Sequence, residues 1–309
     1  MSRPFPDPSL AVTLCGIPLR TPVLAASGTF GYGLEFEKVV DLDSIGGIVV
    51  KGLSREPMEG NAPPRLYETE GGMLNSIGLQ NIGVRAFAAE KLPQLARFRT
   101  AIFANVFGYQ TEDYVEVVRV LEDCQGLSGY ELNVSCPNTR HGGIYFSSDP
   151  ALLGEVVAAV KRVARRPVMV KLSPNVSAIE PLARAAEENG ADAVSLVNTF
   201  VALAIDAHTR RSHLGAGFGG LSGPAIKPIA LRMVFQAARA VKIPVVGLGG
   251  IASGIDAAEF LIAGATAVEV GTATFSDPQA PVRITRELAA FLQKENTMKA
   301  SQLTGTLKL

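Results

Sequence analysis

Runs of near-continuous apolar residues alternate with segments of helical periodicity from one end of the chain to the other. The apolar runs occupy residues 22–27, 47–51, 101–106, 130–135, 167–171, 193–198, 244–248 and 267–271. Stretches such as IFANV, PVMVKL and PVVGL do not alternate, as expected of strands buried on both faces of a parallel sheet. Between them apolar residues recur at helical spacing: Tyr114, Val117, Val118 and Leu121; Val156, Val157, Val160 and Ala164; Ile179, Leu182, Ala183 and Ala186. Ser253-Gly254-Ile255-Asp256 and Ser222-Gly223-Pro224 carry the cap and proline signals that open helices.

Eight such units predict an α/β fold, a single (β/α)8 TIM-type barrel, which needs about 250 residues. It is expected to take up residues 1–309 as one domain, with a doubly wound sheet as the competing architecture. The stretch AVTLCGIPL (11–19) reads as a short N-terminal hairpin that closes the barrel's N-terminal face. Two connections, 53–81 and 200–221, are too long for simple links and read as inserted active-site loops. A third, shorter one spans 138–149.

In a barrel, polar residues at the C-terminal ends of strands are the candidates for binding and catalysis. The chain has them at nearly every end: Ser27-Gly28, Lys51-Gly52, Asn105, Asn133 with Cys136, Lys171, Asn198-Thr199, Gly249-Gly250 and Gly271-Thr272. Glycine turns after the seventh and eighth strands let backbone N–H groups approach a phosphate; the plainer reading is that they only make tight turns. Lys51 and Lys171 are costly to desolvate without a purpose. Each suits neutralising an anionic flavin or an acidic substrate, forming a Schiff base, or snorkelling at the rim. Asn105, Asn133 and Asn198 offer the paired donors and acceptors that match the edges of a heterocycle, although a lone Asn there is a turn former.

The stretch NVSCPN (133–138) ends an apolar run, GYELNV, at Pro137, which cannot continue a ladder. It delivers the Cys136 thiol to the mouth between amides. A thiol has an ordinary pKa of about 8.5 and accepts a proton only where its surroundings favour thiolate. Cys15 and Cys124 read as small apolar fillers. His141, His208 and His213 are rival bases, all in loops.

Composition narrows the setting. Lysine plus arginine equals aspartate plus glutamate at 29 each, so nothing electrostatic points to nucleic acid or a membrane surface. The start, MSRPFPDPSL, lacks an apolar signal core, and no run reaches the roughly 18 residues that span a bilayer. Three cysteines without C-x-x-C spacing favour neither a disulfide framework nor a metal site, and point to a reduced, cytoplasmic protein.

The chain resembles the catalytic subunit of class 1 dihydroorotate dehydrogenases, FMN flavoproteins of pyrimidine (UMP) biosynthesis. The resemblance runs from about residue 10 onward and rests on ASGTFGYG (25–32), VVKGLS (49–54), GGMLNSIGLQN (71–81), NVSCPN (133–138), VKLSPN (170–175), LSGPAIKP (221–228), GLGGI (247–251) and EVGTATF (269–275). It implies that Ser27, Lys51, Gly52, Asn105, Asn133, Lys171, Val197, Gly223, Gly249, Gly250, Gly271 and Thr272 hold FMN, the last four around its phosphate. It implies that Lys51, Asn75, Ser76, Ile77, Gly78, Leu79, Asn133, Asn198 and Thr199 hold dihydroorotate. Cys136 is then the base that removes the C5 proton while the C6 hydride passes to the flavin, and this cysteine points to class 1.

GGMLNSIGLQN and HGGIYFSSDP (141–150) resemble the 1B form, whose homodimeric core joins a second subunit carrying FAD and [2Fe-2S] and passes electrons to NAD. The 1A homodimer uses fumarate instead. One departure from the family pattern is Thr139-Arg140 after CPN. Rival readings are the reductive dihydropyrimidine dehydrogenase domain, a dihydrouridine synthase (disfavoured by the neutral charge), a Schiff-base aldolase on Lys171 and a barrel that merely binds phosphate.

Overall fold

The computed structural model describes residues 7–135, 137–138 and 144–309. Eight parallel strands close into a barrel: β1 (Val23–Ala25), β2 (Gly47–Val49), β3 (Ala101–Val106), β4 (Gly129–Asn133), β5 (Val168–Lys171), β6 (Ala193–Leu196), β7 (Val245–Leu248) and β8 (Ala267–Val270). They follow one another around the barrel in chain order, and β8 returns to β1 with Val268 opposite Val23 and Val270 opposite Ala25. That closure excludes the doubly wound sheet. Each strand lies on one of the expected apolar runs, shortened by at most two residues at an end, with β4 starting one residue early. The trimmed residues, such as Ser27, Ser135 and Asn198, are those that leave the ladder at the C-terminal mouth.

Three helices form where the periodicity placed them, and two more follow the cap and proline signals. α1 (Thr111–Glu122) opens on a capping box between Gln110 and Asp113 and buries Tyr114, Val117, Val118 and Leu121. α2 (Pro150–Lys161) starts at Asp149, whose carboxylate accepts from the Ala151 and Leu152 N–H groups. It ends before Ala164, which therefore lies beyond the helix. α3 (Glu180–Glu188) buries Leu182, Ala183 and Ala186. α4 (Lys227–Ala240) follows a 3-10 turn at Pro224–Ile226, so the Ser222-Gly223-Pro224 signal acts one turn before the helix proper. α5 (Gly254–Ala263) carries the expected Ser253–Asp256 capping box, and α6 (Ala280–Lys294) completes the ring.

The first unit departs from the pattern. After β1 the chain makes only 3-10 turns at Leu34–Phe36 and Leu42–Ser44, because Gly28, Gly31 and Gly33 all take positive φ and prevent a continuous helix.

The N-terminal hairpin pairs Val12–Leu14 with Ile17–Leu19 across a two-residue turn, Cys15 and Gly16, both at positive φ as a type I′ turn requires. Leu14 and Leu19 are buried, and the Cys15 thiol donates to the Asp192 carbonyl just ahead of β6. The hairpin thus sits at the N-terminal end of the strands. At the opposite end the two long connections are not irregular. Leu66–Thr69 and Gly72–Asn75 from the first join Gly219–Ser222 and Phe200–Ala202 from the second in one four-stranded antiparallel sheet. Gly220 makes the pairing possible, since a Cβ there would stand 2.0 Å from Thr199 Oγ1. In the third connection, Pro137–Asn138 pairs antiparallel with Ile144–Tyr145. Among the described residues no helix is long and apolar enough to cross a membrane.

Candidate active site

The barrel interior near its C-terminal end is polar. Asn105 from β3, Glu131 from β4, Lys171 from β5, Ser195 from β6 and Glu269 from β8 are all buried, and their side chains meet across the barrel. Lys171 Nζ lies 3.2 Å from Glu131 Oε1 and 3.4 Å from Glu269 Oε2. Asn105 Nδ2 donates to Glu131 Oε1 at 2.6 Å and Ser195 Oγ to Glu131 Oε2 at 2.8 Å.

Burial works against the charge on Glu131, but Lys171 and the hydrogen bonds it receives outweigh that and hold its carboxyl below the ordinary value. Burial and then the Glu131 charge push the Glu269 carboxyl well above it. For Lys171 burial is overcome by the two carboxyl groups, so its ammonium is held more firmly than usual. Asn105 and Lys171 were expected here; Glu131, Ser195 and Glu269 were not.

A second cluster forms where β4 and β6 end. Asn198 Nδ2 donates to Asn133 Oδ1 at 3.2 Å and to Ser135 Oγ at 3.0 Å. Asn198 Oδ1 accepts from the Thr199 N–H at 2.8 Å, and the Asn133 carbonyl is fixed by the Tyr114 hydroxyl at 2.9 Å. The two asparagines and Thr199 expected to hold substrate are therefore side by side, directly before residue 136. Cys136 itself, and His141, lie outside the described residues. Of the rival bases, His208 is exposed in a turn, and His213 stacks on Tyr67 with ring centres 3.9 Å apart.

The stretch 75–79 lines the mouth from the four-stranded sheet. Asn75 Nδ2 donates to the Gly220 carbonyl, and the Ser76 N–H donates to the Arg65 carbonyl. Ile77 accepts from the Asn61 N–H. Gly78 and Leu79 both take positive φ, a bend that glycine makes freely and leucine makes at a cost. Lys51 is half-buried beside an open cleft of about 720 Å³ that Tyr32, Met58, Gln80 and Ile82 also line. Burial, then the nearby Arg65 charge, holds its ammonium pKa below the ordinary value. Gly52 gives Asn105 its room, because a Cβ there would lie 2.9 Å from Asn105 Oδ1.

The glycine turns converge from three loops. A Cβ on Gly250 would lie 2.8 Å from the Gly223 carbonyl, one on Gly223 would lie 3.5 Å from Thr272 Cγ2, and Thr272 Oγ1 donates to Ser222 Oγ at 2.8 Å. Gly249, at φ +121°, packs against Val197, itself buried and bonded through its N–H to the Leu248 carbonyl. Gly271 differs: a Cβ there would meet nothing closer than 3.5 Å. A methyl group there would make only ordinary contacts, with Ala26 and Thr29. Ser27 lies half-buried in the turn after β1, and that turn is tied to the last one by Thr274 Oγ1 donating to the Thr29 carbonyl at 3.0 Å. The neighbouring cation, Lys227, is already paired with Asp256 and Glu259.

Reading the strand ends one at a time missed the carboxyl groups beneath them. A signal existed: a glutamate inside YELNV and another inside AVEV must each find compensation once buried.

The closed barrel and the gathering of amides, lysines and glycine turns at its C-terminal mouth define a (β/α)8-barrel enzyme. A family profile described as dihydroorotate dehydrogenase matches residues 9–292. The chain belongs to the dihydroorotate dehydrogenase family.

It is 76% identical over 301 residues to a Solibacter usitatus protein provisionally named dihydroorotate dehydrogenase A (fumarate), covering 97% of this chain and 99% of that one. It is 51% identical over 302 residues to the Geobacter sp. (strain M21) protein named dihydroorotate dehydrogenase B (NAD(+)), catalytic subunit, covering 98% and 99%. The protein of that name from Thermodesulfovibrio yellowstonii is also 51% identical, over 97% of this chain and 99% of its own. A crystal structure of the Eimeria tenella dihydroorotate dehydrogenase in complex with ferulenol shares the fold, with a TM-score of 0.81 over 99% of this chain and 91% of the other at 22% identity.

Proposed function

We propose that the whole chain works as one domain that binds one FMN and oxidises (S)-dihydroorotate to orotate in the cytoplasm. The observation that carries this reading is the joining of Asn133, Ser135 and Asn198 immediately before residue 136, on the same mouth as Lys171. The residues fit FMN on two counts. Gly223, Gly250 and Thr272 come together from separate loops, and the glycine turns there suit the close approach of a phosphate to backbone N–H groups. Asn105 and the Lys171 ammonium supply an amide and a positive charge for a polar, planar ring system.

FMN, when bound, supplies the two-electron acceptor for the C6 hydride. The chain's own groups do the rest. Asn133, Asn198, Thr199 and residues 75–79 hold the substrate ring by its amide edges, and the paired charges of Lys51 and Arg65 favour its carboxylate. Cys136 Sγ, as the thiolate, takes the C5 proton. Ser135, fixed by Asn198, orients the chain leading into Cys136.

For the electrons' onward path we favour NAD, through a partner subunit carrying FAD and [2Fe-2S] on a homodimeric core. The names of the relatives near 51% identity and the motifs GGMLNSIGLQN and HGGIYFSSDP support it. The fumarate-linked reading has its own support, the name of the 76% identical Solibacter protein.

Purified protein tests the core claim. It is expected to be yellow and to release FMN on denaturation, and Cys136→Ala is expected to stay yellow while losing about 10²–10⁴-fold in turnover. A protein that takes up no FMN, or a variant with near-normal flavin reduction by dihydroorotate, overturns it. Rapid fumarate-dependent oxidation by the isolated chain decides for the second acceptor.

A further inference from the structure

Two carboxyl groups and one ammonium group lie together inside the barrel, and the donors around them are unequal. Glu131 receives three hydrogen bonds, from Lys171, Asn105 and Ser195. Glu269 receives one, from Lys171 at 3.4 Å, and its Oε1 is buried without any donor among the described residues. Two ionised carboxylates against a single lysine would leave an uncompensated negative charge in a site closed to water. Buried groups avoid that by taking up a proton. The donors fix where it goes: Glu131 has the partners of a carboxylate, and Glu269 has those of an acid able to donate to it. The high proton affinity of Glu269 agrees.

We propose that Glu131 and Glu269 are positioning residues that share one proton, present a single negative charge to Lys171 and so keep its ammonium group charged for the cofactor. The cofactor part rests on the FMN reading above; the proton sharing does not. Glu131 also anchors Asn105, so one carboxylate orients two of the side chains assigned to the flavin. The pair compensates for the loss of either member. Replacing Glu269 by Gln removes no charge, and replacing Glu131 by Gln leaves Glu269 free to ionise against Lys171. Only the double replacement strands the lysine, which then sheds its proton as buried, unpaired amines do.

The test has a readout that needs no cofactor. Infrared difference spectra of apoprotein at neutral pH, wild type minus Glu269→Gln, should show the carbonyl stretch of a protonated carboxyl group. Absence of that band overturns the proton sharing. On FMN-loaded protein, each single variant should move the flavin midpoint potential little. Glu131→Gln/Glu269→Gln should shift it clearly negative and weaken FMN binding by about tenfold or more. Equal and additive shifts from the two single variants overturn the compensation, because a merely structural loss has no reason to appear only in the double. If the double variant fails to fold, Lys171→Met replaces it: with the lysine gone, the carboxyl band must persist and the potential must still fall. A preparation that binds no FMN sinks the flavin reading alone, and the infrared result still stands or falls by itself.

Discussion

Gly250 and Gly271 belong to the same expected phosphate cradle, but their surroundings differ enough to separate packing from binding. A Cβ on Gly250 would lie 2.8 Å from the Gly223 carbonyl and 2.8 Å from Lys227 Cβ, on a backbone at φ +81°. Gly250→Ala therefore pays for a left-handed conformation, about 1–2 kcal/mol. It also overpacks, at about 1–3 kcal/mol. The apoprotein should lose stability whether or not any ligand binds. A Cβ on Gly271 would find Ala26 Cβ at 3.5 Å and the Thr29 side chain at 3.7 Å, ordinary contacts, with no positive φ to strain. Gly271→Ala should leave apoprotein stability within about 0.5 kcal/mol. If that backbone meets the phosphate, the methyl disturbs a hydrogen bond to a charged group worth about 1.5–3 kcal/mol. FMN binding should then weaken by roughly tenfold to a hundredfold. Urea unfolding of the apoproteins and fluorescence titration with FMN measure the two quantities separately. An intact Gly271→Ala protein that binds FMN with wild-type affinity refutes the cradle, and the glycines are then only turns.

Two further outcomes are expected away from the mouth. Glu122 is buried, which raises its carboxyl, but hydrogen bonds from Arg165, Tyr130 and Arg166 outweigh burial and hold it below the ordinary value. Its stabilising contribution is therefore complete above the unfolded carboxyl pKa of about 4.3 and is lost as pH falls through the lower folded value. Glu122→Gln should cost about 1.5–3 kcal/mol at pH 7 in urea unfolding and flatten the loss of stability on acidification; an acid limb identical to wild type refutes this. The Cys15 thiol is pushed up to about 12 by burial and then by Asp192, so iodoacetamide at pH 8 should leave it unmodified in the native protein by mass spectrometry, and rapid labelling there contradicts the hairpin's placement.

The barrel strands were legible because a parallel strand covered on both faces is largely apolar, and short runs of that kind recur between the segments of helical periodicity. The sheet over the mouth was not, for a physical reason. Gly72–Asn75 and Gly219–Ser222 carry neither an apolar run nor an alternation, and Gly220 shows itself a pairing residue only once Thr199 is beside it in space. The asparagines, lysines and glycines at the strand ends could be named one by one, since each end reaches the mouth independently.

The carboxyl pair could not be named that way. In YELNV and AVEV each glutamate interrupts an otherwise apolar strand, and nothing local says whether it faces outward or in. Closure of the barrel brings β4 and β8 to the same lysine, and charge compensation then follows from counting groups. Lys171 read alone is a cation available to a ligand. Placed between Glu131 and Glu269 it is a cation whose availability depends on how many protons the carboxyl groups hold. With none, the lysine is fully engaged by two charges below it; with one, half of its environment is neutral and its field extends toward the mouth. The charge that Lys171 can offer is thus tied, one layer deeper, to the two glutamates beside it.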